Sequence, residues 1–448
     1  MDQNLTHLQN SLNSVMDDSR EKAKDWLQDN PTVCALPFMH FQLETNGDMK
    51  PCCSAMVPIE DETGKPINVR DHTIEEMWNH PMRHKFVDDL LSGKKPKQCE
   101  RCVIRDANNR NSKRIHFSTN GKSLETTQRM MRDGIHNFPF ELKWIDMMPG
   151  NACNLKCRIC NAEQSSLWAK DFHKLFNPDV PFKGSQEWEY NKNCQWIDDP
   201  KFIESLNSQT FKDLEYLHLL GGEPLMVVKH YEILQKIIDG GYAKNIQIEY
   251  NTNGTHFFSK EQLNILSQFK KLAVNMSIDD IGSRFEYQRK NGVWADVWEN
   301  IKKFYALQNN FVSVTGILPR IGMTPAVSIF NVYYVRDYLN FFRNEGIDVS
   351  RLSLNHWVHD WGLDVRELMP EQRQRVLDNI RPTCPEEDIE WLRCIIERLE
   401  SDDYKPIRMQ SRDWKINGFD GLRGETFAQT HPEMYDIIKQ QWTGTYEN

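Results

Sequence analysis

Asn151-Ala-Cys153-Asn-Leu-Lys-Cys157-Arg-Ile-Cys160 sets three thiols at spacings of four and three residues, close enough to fold around one compact metal group. Structural zinc prefers four protein ligands, so three leave a position open. An iron–sulfur cluster held by three thiolates exposes one iron to an exogenous ligand. A zinc knuckle completed by a distant His or Cys is the alternative reading of the same spacing. A second set lies upstream: Cys34, the neighbours Cys52 and Cys53, and the pair Cys99-Glu-Arg-Cys102. A hairpin cysteine set plus a C-x-x-C makes four ligands, suitable for zinc or for a cluster with no open position. Of the other cysteines, Cys394 shares an apolar helix face with Trp391, Ile395 and Leu399, where free thiols are commonly buried. Cys384 and Cys194 read as loop residues, and Cys194 is also a candidate acid.

Further polar motifs follow the cysteine loop. Leu219-Leu220-Gly221-Gly222-Glu223-Pro224-Leu225 carries two glycines that let the backbone approach a ligand, and a carboxylate able to accept from an ammonium. Asn251-Thr252-Asn253-Gly254, Ser277-Ile-Asp279-Asp280 and Tyr287-Gln-Arg289-Lys-Asn-Gly292 come next, and His356-Trp357 is a possible substrate-facing pair. Any one of them is an ordinary polar loop when taken alone. Their placement argues otherwise. Strands are expected over Leu142–Met148, Leu214–Leu220, Ile246–Tyr250, Leu272–Ile278, Phe311–Leu318 or Ala326–Phe330, and Leu352–Leu354, alternating with helical stretches. That order predicts an α/β fold, a parallel sheet with outer helices forming a partial (β/α)6 TIM-like barrel. The motifs fall at the C-terminal ends of successive strands, where barrels place their active sites.

Upstream of this barrel a small α+β domain is expected. Met39, Phe41 and Leu43 alternate with His40, Gln42 and Glu44 before Asn46-Gly47, a hairpin signal. A helix over Thr73–Leu91 follows, with Thr73 and Glu76 as a capping box and Gly93 as its stop. The expected organisation is a helical segment over 1–30, the cysteine-bearing domain over 31–105, a linker over 106–138, the barrel over 139–365 and a helical cap over 366–448. In the 448 residues, 55 Lys and Arg stand against 64 Asp and Glu, so general nucleic-acid binding is not expected. Met1–Arg20 is polar and no apolar run approaches a membrane span. A cytoplasmic location is expected, and eleven cysteines there read as ligands rather than disulfides.

The loop Cys153-x3-Cys157-x2-Cys160 with the Gly221-Gly222-Glu223-Pro224 motif resembles the radical S-adenosylmethionine (radical SAM) superfamily. The resemblance implies that Cys153, Cys157 and Cys160 hold a [4Fe–4S] cluster whose free iron chelates the amino and carboxylate groups of SAM. The family usually has an aromatic residue before the last cysteine, and Ile159 stands there. By the same resemblance Gly221, Gly222, Glu223 and Pro224 form the loop that takes the SAM amino group. Asn253 is a further SAM contact, Ser277 and Asp279 suit the ribose hydroxyls, and Arg289 suits the methionine carboxylate. Cys34, Cys52, Cys99 and Cys102 resemble the twitch/SPASM auxiliary-cluster modules, here before the barrel instead of after it. With no further cysteine between Cys102 and Cys153, one auxiliary [4Fe–4S] cluster is implied. The Gly47-x4-Cys52 spacing favours Cys52 over Cys53, and a structural zinc on the same thiolates is the alternative.

The activity implied is reductive cleavage of SAM to a 5′-deoxyadenosyl radical that abstracts hydrogen from a substrate, with a flavodoxin or ferredoxin as electron donor. Three functions compete. The first is modification of a peptide or protein side chain, although the N-terminus carries no peptide-recognition winged helix of the usual kind. The second is small-molecule oxidation of an alcohol or aminocyclitol. The third is a non-enzymatic module stapled by metal, in which the SAM-type loops would have no purpose.

Overall fold

The hairpin expected after Cys34 forms. In the computed structural model, which describes residues 17–107, 112–135, 141–353, 356–359, 362–381, 386–401, 405 and 409–439, β1 (His40–Leu43) pairs antiparallel with β2 (Met49–Lys50). Gly47 turns the chain at φ +86°, and a Cβ there would lie 2.7 Å from Val69 Cγ2. Only glycine meets both conditions. The chain divides into two units, the first of residues 1–150, 194–219 and 229–247, the second of residues 151–193, 220–228 and 248–448.

In the first unit β1 also runs parallel to β3 (Trp144–Met147), with His40 opposite Trp144 and Leu43 opposite Met147. β4 (Tyr216–Leu219) continues in parallel on the far side of β3. The strand order is β2-β1-β3-β4. The hairpin is thus part of the same sheet as the first two βα strands. One face is apolar, with Phe41, Leu43, Ile145, Met147, Leu217 and Leu219 all buried. The other carries His40, Gln42, Trp144, Asp146, Tyr216 and His218, so the polar alternate positions of β1 are buried too.

The helix expected over Thr73–Leu91 is two helices, Ile74–Trp78 and Pro81–Leu91. Thr73 and Glu76 make the capping box. Pro81 cannot continue the amide ladder and holds His80 extended, so the chain stops and restarts with His80 as the new cap. Gly93, at φ +78°, follows the second helix. Within the expected linker, Lys113–Ser118 and Gly121–Asp133 are helical and bury Ile115, Leu124 and Met130. Residues 108–111 and 136–138 of that stretch lie outside the described residues, as do 1–16 of the N-terminal segment, whose remainder is helical over 17–29.

In the second unit β5 (Gln247–Thr252), β6 (Lys271–Met276) and β7 (Arg320–Met323) follow in that order. β6 and β7 are parallel, with Val274 opposite Ile321. Leu272, Ala273 and Val274 are buried in succession, as expected of a parallel strand covered on both faces. Phe311–Leu318 is not a strand. Ser313 and Thr315 hydroxyls turn back to the Lys270 carbonyl, and Gly316 at φ +74° breaks the extension, leaving Val312 and Val314 exposed. Ala326–Val327 instead pairs in parallel with His356–Trp357. Leu352 makes a single bridge to Met323, while Leu354 lies outside the described residues. The C-terminal part contributes helices Pro370–Ile380, Glu386–Glu400 and Pro432–Ile438. Among the described residues no helix is long and apolar enough to cross a membrane.

Candidate metal centres and cofactor loops

In the first unit Cys34, Cys52, Cys99 and Cys102 line one cavity, walled by apolar residues including Leu36, Phe86 and Leu90. Each thiol arrives on a different local device. Cys34 precedes the turn Leu36–Phe38, Cys52 follows β2, Cys99 closes the turn Lys97–Cys99, and Cys102 sits in the helix Glu100–Ala107. Arg114 also lines the cavity, donating to the Val33 carbonyl at 3.0 Å and pairing with Asp106 at 2.8 Å. Burial pushes the Cys34 thiol up to about 11 and Cys99 up to about 12, with neighbouring cysteines adding to each shift. Cys52 is likewise raised by burial, then by Cys53 and Cys34. Such a pocket favours a metal group that takes the thiols as thiolates and shares their charge. Cys53 does not line it and is exposed.

The same unit holds a buried polar cluster that sequence spacing does not show. Asp146 lies between His40 Nε2 at 3.3 Å and His218 Nδ1 at 3.1 Å, and accepts from the Trp144 indole at 2.7 Å. Burial pushes its carboxyl up, but the two imidazoles outweigh this and hold it below the usual carboxylate range. The three residues come together because β1, β3 and β4 run parallel in register.

In the second unit the three-cysteine loop is knitted to the loops that follow. Glu223 N donates to the Ala152 carbonyl at 2.7 Å, and a Cβ on Gly222 would lie 2.4 Å from that same oxygen. Gly222 is therefore the residue that lets one loop lie on the other. Gly221 turns at φ +108°, and Pro224 starts the short turn Pro224–Met226. The Glu223 carboxylate is fully buried and accepts from Leu225 N, Thr252 Oγ1 and Asn253 N at 3.1, 2.8 and 2.7 Å. Burial pushes it up to about 7 against those three donors. Asn253 Nδ2 donates to Asn154 Oδ1 at 3.0 Å and reaches Cys153 Sγ at 3.8 Å. Ser277 N donates to the Thr252 carbonyl.

Arg289 pairs with Asp279 at 2.8 Å and points NH1 at Cys157 Sγ, 3.7 Å away. The register places Cys157 opposite Arg289 in a two-residue antiparallel pair. Asp279 also accepts from Ala326 N at 2.9 Å. Burial raises the thiols of Cys153, to about 11, and of Cys157 and Cys160. His356 is exposed on its short strand, and Cys194 is buried. Cys384 lies outside the described residues. A further contact had no sequence signal. Arg158 and Cys160 of the cysteine loop are held by residues 415–425.

Residues 147–331 match the family described as the Radical SAM superfamily, and residues 34–103 match SPASM, described as an iron-sulfur cluster-binding domain. Similar solved structures include a histidine-tagged anSMEcpe with bound AdoMet (16% identity, 64% of this chain and 65% of that chain, TM-score 0.37). Native anSMEcpe with bound AdoMet and Cp18Cys peptide gives 14% identity over 63% of this chain and 66% of that chain, with a TM-score of 0.34. Streptococcus suis SuiB gives 14% identity over 81% and 69%, with a TM-score of 0.30. No curated protein matches the chain. The two domain matches, rather than these distant superpositions, identify the domains. A radical SAM domain implies a [4Fe–4S] cluster and SAM, and a SPASM domain implies an auxiliary iron–sulfur cluster. The donor sets fit both groups, with N–H donors aimed at Cys153 and Cys157 in one unit and four thiols around one cavity in the other. Residues 147–331 are a radical SAM domain, and a SPASM domain over residues 34–103 lies N-terminal to it.

Proposed function

We propose that this enzyme uses SAM to abstract hydrogen from a side chain of a peptide or protein. In this reading Cys153, Cys157 and Cys160 hold the SAM-cleaving cluster, and Cys34, Cys52, Cys99 and Cys102 hold an auxiliary [4Fe–4S] cluster that takes the second electron or holds the substrate. The observation that carries it is the presence of two thiol sets of different kind, three in a polar loop and four around an apolar-walled cavity. Two such sites suit a hydrogen abstraction followed by an oxidation, and the resemblance associates that pairing most commonly with peptide modification and also with small-molecule dehydrogenation.

When bound, the reduced three-cysteine cluster supplies the electron that splits SAM into methionine and the 5′-deoxyadenosyl radical. The chain's residues bind and orient. Arg289, aimed by Asp279, brings a fixed guanidinium beside Cys157, where it suits the methionine carboxylate. Glu223, the proposed partner of the SAM ammonium, already ties its own loop to Thr252 and Asn253, so the two uses share one carboxylate. Ser277, tied to the end of β5, and Asp279 remain the candidates for the ribose. Transfer of label to 5′-deoxyadenosine tests the substrate class. Reduced, reconstituted enzyme is incubated with deuterated peptides and, separately, with deuterated alcohols and aminocyclitols. Label from the peptides is expected, and label from the small molecules alone replaces this reading with dehydrogenation.

A further inference from the structure

Between Cys157 and Cys160 stands Arg158, whose side chain is wholly buried. A guanidinium has five N–H donors, and all five are engaged. Nε donates to the Tyr287 carbonyl at 3.2 Å, and NH1 to the Lys415 and Ile416 carbonyls at 2.8 and 3.2 Å. NH2 donates to Asp420 Oδ1 and Glu425 Oε2, each at 2.6 Å. Four of these five acceptors lie beyond residue 331, where the radical SAM match ends. Both carbonyls belong to the π-helical turn Trp414–Gly418, and that of Ile416 also accepts from Phe419 N.

The same stretch makes three more contacts around the loop, one of them on the loop itself. Lys415, fully buried between the rings of Trp168 and Trp414, donates Nζ to the Cys160 carbonyl at 2.7 Å. Arg423 shares Asp171 with Lys156, the residue before Cys157. Glu425 pairs with Lys290 at 2.8 Å, next to Arg289. Arg158 and the backbone of Cys160 are thereby held directly by one distant segment, and Lys156 is joined to it through Asp171.

We propose that Trp414–Glu425 is a seating element for the three-cysteine loop, with Lys415 and Arg158 as positioning residues that set Cys157 and Cys160 for cluster capture. The inference rests on the proposed ligand role of Cys153, Cys157 and Cys160. Partners that orient first ligands govern metal affinity strongly in other sites. A staple that merely stabilises the fold would not act selectively on one cluster.

The test uses the full chain, reconstituted anaerobically, and reads two quantities besides turnover. One is the electron paramagnetic resonance signal of the reduced protein that changes on adding SAM, and the other is the rate of iron loss to a chelator. Lys415→Met keeps the bulk between the two tryptophans, and Glu425→Gln removes one charge while keeping the shape. In each, the SAM-responsive signal is expected to fall and iron of that cluster to leave about ten- to a hundredfold faster. The auxiliary iron should stay, and Asp436→Asn, which breaks an exposed pair with Arg375, should leave both readings unchanged. Retention of the full SAM-responsive signal in both variants overturns the proposal. So does loss of both clusters together, or of the fold, because that is general destabilisation. If Cys153, Cys157 and Cys160 replaced together by Ala still show the SAM-responsive signal, the ligand assignment fails instead.

Discussion

The two thiol sites are built on opposite principles. The four cysteines of the first unit line a cavity with apolar walls, where burial, and then neighbouring thiols, raises Cys52 and Cys99. The three cysteines of the second unit lie in a loop where amide and guanidinium donors reach two of the sulfurs. Four thiolates complete an iron–sulfur cluster, whereas three leave an iron for another ligand, and hydrogen bonds to sulfur shift its potential. The difference teaches that the first site is suited to storing or passing an electron, and the second to holding a cofactor while it reacts.

The largest test of this contrast removes one site at a time. Replacing Cys153, Cys157 and Cys160 together by Ala should cost about half of the iron, from two four-iron clusters, and abolish SAM cleavage. Iron analysis and chromatography of 5′-deoxyadenosine check both. Zinc at full occupancy with no broad visible absorption after anaerobic reconstitution would remove both cluster assignments. Replacing Cys99 and Cys102 together should cost the other half of the iron yet spare SAM cleavage under strong reductant, while turnover of the true substrate falls. Circular dichroism and melting separate this from unfolding. A folded variant with undiminished turnover would leave the cavity site without a catalytic part.

How much of this was legible in the sequence depends on how local each feature is. Cys153, Cys157 and Cys160 sit within one short loop, and Gly222 within one turn, so spacing and residue type reveal them. The capping box of Thr73 and Glu76 is equally local. The pairing of β1 with β3 is not. It joins segments about a hundred residues apart, and alternation in either strand says only that two faces differ. His40, Asp146 and His218 meet through that pairing, which no local spacing reveals. Arg158 was hidden for another reason: two of its acceptors are backbone carbonyls, which carry no sequence identity. The loop Phe311–Leu318 misled because its valines alternate as in a strand, while Ser313, Thr315 and Gly316 decide the backbone.

A smaller test concerns the polar site alone. Glu223→Ala should weaken SAM binding with cluster content near normal, since loss of a charged hydrogen bond costs about 1.5–3 kcal/mol, or roughly ten- to a hundredfold in affinity. Glu223→Gln sharpens the result. Both carboxylate oxygens accept, one from Asn253 N and the other from Leu225 N and Thr252 Oγ1, so an amide group must set a donor against a donor at one of them. Calorimetric titration with SAM is expected to place the Gln variant near the Ala variant. A Gln variant that binds SAM as the unaltered enzyme does would show that neither the ammonium nor the loop contacts depend on that charge.

The smallest expected effect distinguishes two adjacent cysteines of the closed site. Cys52 lines the cavity with Cys34, Cys99 and Cys102, whereas Cys53 is exposed and lies outside that lining. The two cysteines enter a turn closed by Ala55 N donating to the Cys52 carbonyl at 3.1 Å, and of the pair only Cys52 faces the cavity that holds the other three thiols. Cys53→Ser should therefore leave the iron content and the visible spectrum of the anaerobic protein unchanged. Cys52→Ser should lower the iron of this site and leave SAM cleavage intact, because the three-cysteine loop keeps all its ligands. The comparison is cleanest in protein that already lacks Cys153, Cys157 and Cys160, where the remaining iron reports on the cavity alone. If Cys53→Ser is the variant that loses it, the hairpin must present its second cysteine to the metal, and the register of the chain after β2 would have to shift by one residue.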